Sequence, residues 1–159
     1  MRWRSRRQLR VALANALTRS GTEAADLERE RGAQHLLEGR REIPVCLFEA
    51  VEAVDAGPIY GHDVIRLSGY ELFDDIRAAQ AQATLRLIDG FLASHPHVKP
   101  EPQVGEETFY PRRTQADDEL DVDQPLRSQF DRLRIANNDA WPATFTIDGH
   151  RYVLRIERA

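Results

Sequence analysis

Between Leu72 and Phe91 the apolar residues Leu72, Ile76, Ala79, Ala83, Leu87 and Phe91 recur every three or four positions, with no Pro to interrupt them. That spacing predicts a helix of about six turns with one apolar stripe, and so long a stripe must be buried against something broad and flat. The partner is written just upstream. Ile43 to Val54 (IPVCLFEAVEAV) and Ile59 to Leu67 (IYGHDVIRL) are apolar, β-prone runs separated by Asp55-Ala56-Gly57-Pro58, and they read as two strands joined by a turn. Ser68-Gly-Tyr-Glu71 has capping-box spacing, so the helix is expected to begin there.

Downstream, Pro96, Pro100, Pro102 and Pro111 punctuate Ser94 to Arg113 and favour an extended connector. Asp123 followed by Pro125 suits a helix start, with Leu126, Phe130 and Leu133 as one face and an end near Asn137-Asn138. Phe145 and Ile147 alternate before Asp148-Gly149, and Tyr152, Leu154 and Ile156 alternate after it, which predicts a closing β-hairpin. No internal repeat is visible. A chain of 159 residues with 42% hydrophobic content suits a single modest core, and no run approaches the ~20 apolar residues of a bilayer span. One cysteine, Cys46, forms no internal disulfide, so a soluble, cytoplasmic protein is expected.

The first 20 residues differ in kind. They hold six Arg and no acid, leaving 16 basic against 26 acidic residues in 21–159. Leu9, Leu13 and Leu17 give this segment a narrow helical stripe, in keeping either with a targeting segment or with an extension foreign to the rest. Residues 21–42 read as loop with a short helical turn. The acidic body argues against a nucleic-acid backbone as partner.

Several places could carry chemistry. Asp55, in a Gly/Pro turn between apolar strands, can project a carboxylate as a general base, although Asp in such a turn also bonds its own backbone. Arg112-Arg113 can clamp a phosphate with forked donors, or pair internally with Asp117 or Asp118. Asn137-Asn138-Asp139-Ala140-Trp141-Pro142 offers amides and an aromatic plate for a base, or a helix-to-strand turn. The five His stand at no familiar zinc spacing, so no metal is expected and they read as loop and surface residues. Cys46, inside an apolar strand, reads as a small hydrophobe. No glycine-rich phosphate loop and no Gly-x-Ser-x-Gly elbow occurs.

Four separated stretches, taken in order, resemble one family: Glu42 through Tyr60 (EIPVCLFEAVEAVDAGPIY), Thr108 through Thr114 (TFYPRRT), Asp118 through Asp121 (DELD), and Gln129 through Phe145. The string resembles the later half of folate-dependent formyltransferases, most of all sugar N-formyltransferases, over residues 38–159. The resemblance implies an α/β fold: the C-terminal part of a Rossmann-like formyltransferase domain, followed by a helix and a C-terminal β-hairpin. It divides the chain into an Arg-rich, charged segment at 1–37, a partial catalytic domain at 38–111, and a helix and hairpin subdomain at 112–159. It implies N10-formyltetrahydrofolate as formyl donor and the amine of a nucleotide-linked amino sugar as acceptor. Asp55 would be the aspartate of an Asn, His and Asp constellation, and Arg112 and Arg113 would face the sugar nucleotide's phosphates.

In the family the first half carries an Asn-x-His strand end and a His-x-Ser loop. Here Asp26-Leu-Glu-Arg-Glu-Arg-Gly32 only echoes the stretch after that loop, and Glu23 and Ala25 stand where His and Ser would be. The expectation is therefore a truncated enzyme, inactive alone, whose missing strands leave a sheet edge open and invite self-association into a homo-oligomer. Methionyl-tRNA formyltransferase is the enzymatic alternative, set back because residues 124–159 hold six Arg against four acids rather than a strongly basic domain. A non-catalytic module that dimerises through its closing hairpin is the third reading.

Overall fold

The computed structural model describes residues 9–13, 15–16, 34–49, 51, 57–104 and 114–159. Strands β1 (Leu9–Leu13), β2 (Asn15–Ala16), β3 (Glu42–Glu49) and β4 (Ile59–Arg66) form one antiparallel sheet in the order β2-β1-β3-β4. Alternation in β3 sends Ile43, Val45 and Leu47 to the buried face, and Ile43 lies opposite Ile65 of β4. Helix α1 (Phe73–Ser94, 22 residues) lays Ile76, Ala83 and Leu87 on that face, in a core that also holds Leu36 and Leu67. The close approach has a marker: a Cβ on Gly61 would lie 3.3 Å from Leu87 Cδ2.

Helix and sheet thus stand where the periodicity put them, with two corrections. The Ser68–Glu71 spacing builds a turn ahead of the helix rather than its first turn. Glu71 takes the N–H of Ser68 at 2.6 Å and of Gly69 at 2.8 Å, while Leu72 is the N-cap and donates its own N–H to Asp75 at 3.1 Å. The Arg-rich segment contains a strand where a helix was expected. Leu9, Val11 and Leu13 also fit a period of two, and an unpaired β3 edge rewards pairing over an isolated helical turn. β1 therefore runs along the β3 edge that was expected to lie open.

The second sheet has the order β5-β6-β7, from β5 (Glu119–Leu120), β6 (Ala143–Ile147) and β7 (His150–Leu154). The hairpin forms as expected, turning on Asp148 (φ 50°) and Gly149 (φ 78°), the left-handed pair that matches strand twist. β5, too short to show a period, pairs parallel to β6. The expected helix is broken in two: a 3-10 turn, Leu126–Gln129, then α2 (Phe130–Arg134). Leu126, assigned to the apolar face, is exposed. Leu120, Leu133, Ala136 and Ala143 make this sheet's own small core.

Arg134 joins the two cores. Its side chain is 0% exposed, and Nε donates to Asp131 Oδ1 at 2.6 Å. Nη1 donates to the Glu71 carbonyl at 3.3 Å and lies 3.7 Å from the Glu71 carboxylate. Arg158–Asp75 at 3.3 Å and Arg41–Asp131 at 3.7 Å bridge the same seam at the surface. Burial opposes ionisation of Glu71, but the N–H groups of Ser68, Glu71 and Gly69, with Arg134, outweigh it and hold the carboxyl below its ordinary 4.5.

Replacing a buried cation strands its partners, so Arg134→Met should destabilise the chain by about 3 kcal/mol in urea unfolding. Arg155→Met, at an exposed site, should change stability by no more than about 0.5 kcal/mol. A carboxyl whose folded value is depressed stabilises above its unfolded value and loses that contribution as pH falls through the folded one. Stability should therefore drop as pH falls below 4.5, and the drop should be shallower in Glu71→Gln.

Candidate functional site

The turn between β3 and β4 is held at both feet. Glu49 donates its N–H to the Pro58 carbonyl at 2.9 Å, and Gly57 is buried so close to Glu49 that a Cβ there would overlap the Glu49 carbonyl oxygen. The Gln103 side chain donates to the Gly57 carbonyl at 2.6 Å, and Ile59 and Glu101 exchange two backbone bonds of 2.7 Å. Tyr60 donates its hydroxyl to Glu49 Oε2 at 3.1 Å and packs edge-on against Phe91 of α1, ring centroids 5.5 Å apart. The extended connector after α1 thus runs back to brace the turn.

Asp55 lies outside the described residues, as do Arg112 and Arg113. What surrounds each is described. Asp55 falls in the short stretch between the pinned residues Glu49 and Gly57, so its chain entry and exit are fixed at one end of the sheet. Beyond Arg113, Thr114 gives its N–H (2.6 Å) and hydroxyl (3.0 Å) to Asp117 Oδ2, while Asp118 is buried. The one aspartate caps a turn and the other is enclosed, so neither is a simple surface acid.

The Asn137–Pro142 segment is a structural turn. Asn137 Oδ1 accepts the N–H groups of Asp139 (2.9 Å) and Ala140 (2.8 Å). Asn138 exchanges two bonds with the Ile156 backbone, at 2.8 and 3.0 Å, so both amides are committed to holding the chain. Four histidines, 62, 95, 97 and 150, are exposed as expected; His35 is buried, and burial with the nearby Arg40 cation lowers its pKa, against a raising pull from Glu38. Cys46 sits half-buried on β3. Among the described residues no group of three His, Cys, Asp or Glu is placed to hold a metal, and no helix is long and apolar enough to cross a membrane.

A cleft that the sequence did not signal lies along the seam. It measures about 450 Å³ and is lined by Arg41, Gly69, Arg127, Phe130 and Asp131. These residues are scattered over 91 positions and meet only at the seam, where Arg134, the Arg41–Asp131 pair and the Leu67 N–H bond to the Arg41 carbonyl (2.8 Å) bring them together.

No family model matches the chain. Methionyl-tRNA formyltransferase of Leifsonia xyli is 31% identical over 147 residues, 83% of this chain and 45% of that protein. The enzyme of the same name from Streptococcus equi subsp. equi is 26% identical over 125 residues, 75% of this chain and 39% of that protein. The chain therefore spans about two fifths of the length of the curated relatives it matches. Methionyl-tRNA formyltransferase from Clostridium thermocellum superposes with a TM-score of 0.61 at 18% identity, covering 75% of this chain and 52% of that one. A sugar N-formyltransferase from Shewanella sp. gives 0.60 at 18% identity, covering 80% and 54%. HypX from Aquifex aeolicus in complex with tetrahydrofolic acid gives 0.58 at 21% identity, covering 78% and 22%. The mixed α/β fold expected from the motifs is thus the fold of known formyltransferases.

Because a side chain at Gly57 meets backbone rather than a movable group, Gly57→Ala should distort the turn and cost about 1–3 kcal/mol of stability, read from the urea midpoint.

Proposed function

The chain belongs to the formyltransferase family, and on that premise we propose that it forms the aspartate-bearing part of an enzyme that moves formyl from a folate carrier to a substrate amine. The donor is N10-formyltetrahydrofolate and the acceptor is the amine of a nucleotide-linked amino sugar. Attack by the amine nitrogen on the formyl carbon forms one C–N bond and breaks another, and the nitrogen must shed a proton. Asp55 orients the histidine that handles that proton. Arg112 and Arg113 meet the phosphates of the sugar nucleotide. The 159 residues contain no Asn-x-His, so the donors for the developing oxyanion must come from outside this sequence.

The observation that favours a small acceptor over an RNA is the use of the arginines. Residues 124–159 contain six, and four are tied inward: Arg132 to the Glu119 carbonyl at 2.7 Å, Arg134 in the seam, Arg151 to the Thr144 hydroxyl at 3.1 Å and Arg158 to Asp75. Arg127 and Arg155 alone remain for an outside partner, too few for the basic face that a nucleic-acid backbone requires. The second reading, a methionyl-tRNA acceptor, is favoured by the names of the curated relatives.

The 159-residue chain should show no formyl transfer with formylfolate and nucleotide-linked amino sugars; turnover would overturn the need for an outside Asn and His. In a chimera where residues 38–159 follow the first half of a sugar N-formyltransferase, transfer should appear, and Asp55→Asn should lower kcat about 100-fold or more. Full activity of that variant would refute the role of Asp55. Filter binding with tRNA should show only weak retention, and tight retention falling steeply with salt would favour the second reading.

A further inference from the structure

The cleft along the seam carries unbalanced positive charge. Asp131, its one acid, accepts from Arg134 Nε at Oδ1 (2.6 Å), leaving Arg41 Nη1 at a looser 3.7 Å from the same oxygen. Glu71, the other acid nearby, is occupied by the N–H groups of Ser68 and Gly69 and by Arg134. Arg127 lines the cleft and makes no hydrogen bond or ion pair. Three guanidiniums, Arg41, Arg127 and the buried Arg134, thus meet two carboxylates, Asp131 and Glu71, and the concavity is left with one positive charge in excess.

The backbone helps hold one of them. Gly69 has a φ of 103°, and a Cβ there would collide with the guanidinium of Arg41, which therefore lies across a position open only to glycine. Phe130, half-buried, supplies an apolar wall beside the two charges. Guanidiniums at the edge of a pocket offer forked donors that match phosphate oxygens, and they do so best where no carboxylate competes.

We propose that the cleft lined by Arg41, Arg127 and Phe130 binds a phosphate group of a small phosphorylated molecule. Arg41 and Arg127 donate to its oxygens, and because Arg134 holds Asp131 Oδ1 at 2.6 Å, Arg41 keeps only a 3.7 Å pairing for the phosphate to displace. Its binding needs none of Asp55, Arg112 and Arg113, and it stands whether or not the chain takes part in formyl transfer.

Calorimetric titration of the full chain with pyrophosphate tests it. Saturable binding should weaken about tenfold in Arg127→Gln and in Arg41→Gln. Arg86→Gln, which breaks a surface pair with Asp63 on β4, should leave affinity unchanged. Gly69→Ala keeps every charge but displaces Arg41, and should also weaken binding. A nucleoside diphosphate run beside pyrophosphate shows whether the ligand is a nucleotide: tighter binding than pyrophosphate, lost in Phe130→Ala, means that the ring takes a base, and equal binding means that phosphate alone is read. Absence of saturable binding, or wild-type affinity in both Arg41→Gln and Arg127→Gln with unchanged circular dichroism, would overturn the proposal.

Discussion

A guanidinium with no exposure to water organises the seam of this molecule. Taking a charge out of water costs several kcal/mol, and Arg134 offsets that only through Asp131 and the carbonyl and carboxylate of Glu71. Asp131 lies on the same short helix as Arg134, whereas Glu71 lies 63 residues upstream, ahead of the long helix. Satisfying one side chain therefore fixes where the turn before α1 sits against α2. The orientation of Glu71 in turn arranges the N–H groups of Ser68 and Gly69, and Gly69 lies under Arg41. The cleft is a consequence of that chain of contacts.

The elements that were legible in the sequence are those whose stabilisation is periodic and local. The stripe of α1 and the alternation around Asp148-Gly149 each repeat several times, so their burial pattern survives in the order of residues. The departures come where a single long-range contact outweighs a local pattern. Ser68–Glu71 has the spacing of a helix cap, yet Glu71 also faces Arg134, and the helix starts later. Leu9–Leu13 satisfies two periods at once, and the open edge of β3 decides between them. β5 is two residues long and exists only because β6 is beside it.

The candidate site divides in the same way. Asp55 stood out through an ordered string of motifs, since spacing alone also fits an ordinary turn. The bonds of Gln103 to Gly57 and of Glu101 to Ile59 were not legible, because they form only after the connector doubles back past α1. The cleft was invisible for a similar reason: Arg41, Gly69 and Arg127 belong to three unremarkable stretches. The amides of Asn137 and Asn138 were legible as turn chemistry, and they serve the backbone. The likeness to formyltransferases includes the sequence that flanks the turn, while four of the six arginines of residues 124–159 bond within the chain.

If Arg134 unites the two cores, the sheet under α1 and the small sheet ending the chain should open together. Native-state hydrogen exchange at rising urea reads this directly, by following the ladder amides of Val45 and Leu47 in β3 and of Thr144 and Phe145 in β6. The account predicts that both sets converge on one opening free energy with one urea dependence. Exchange of the β6 amides through a separate, lower-energy opening, with β3 still protected, would contradict it.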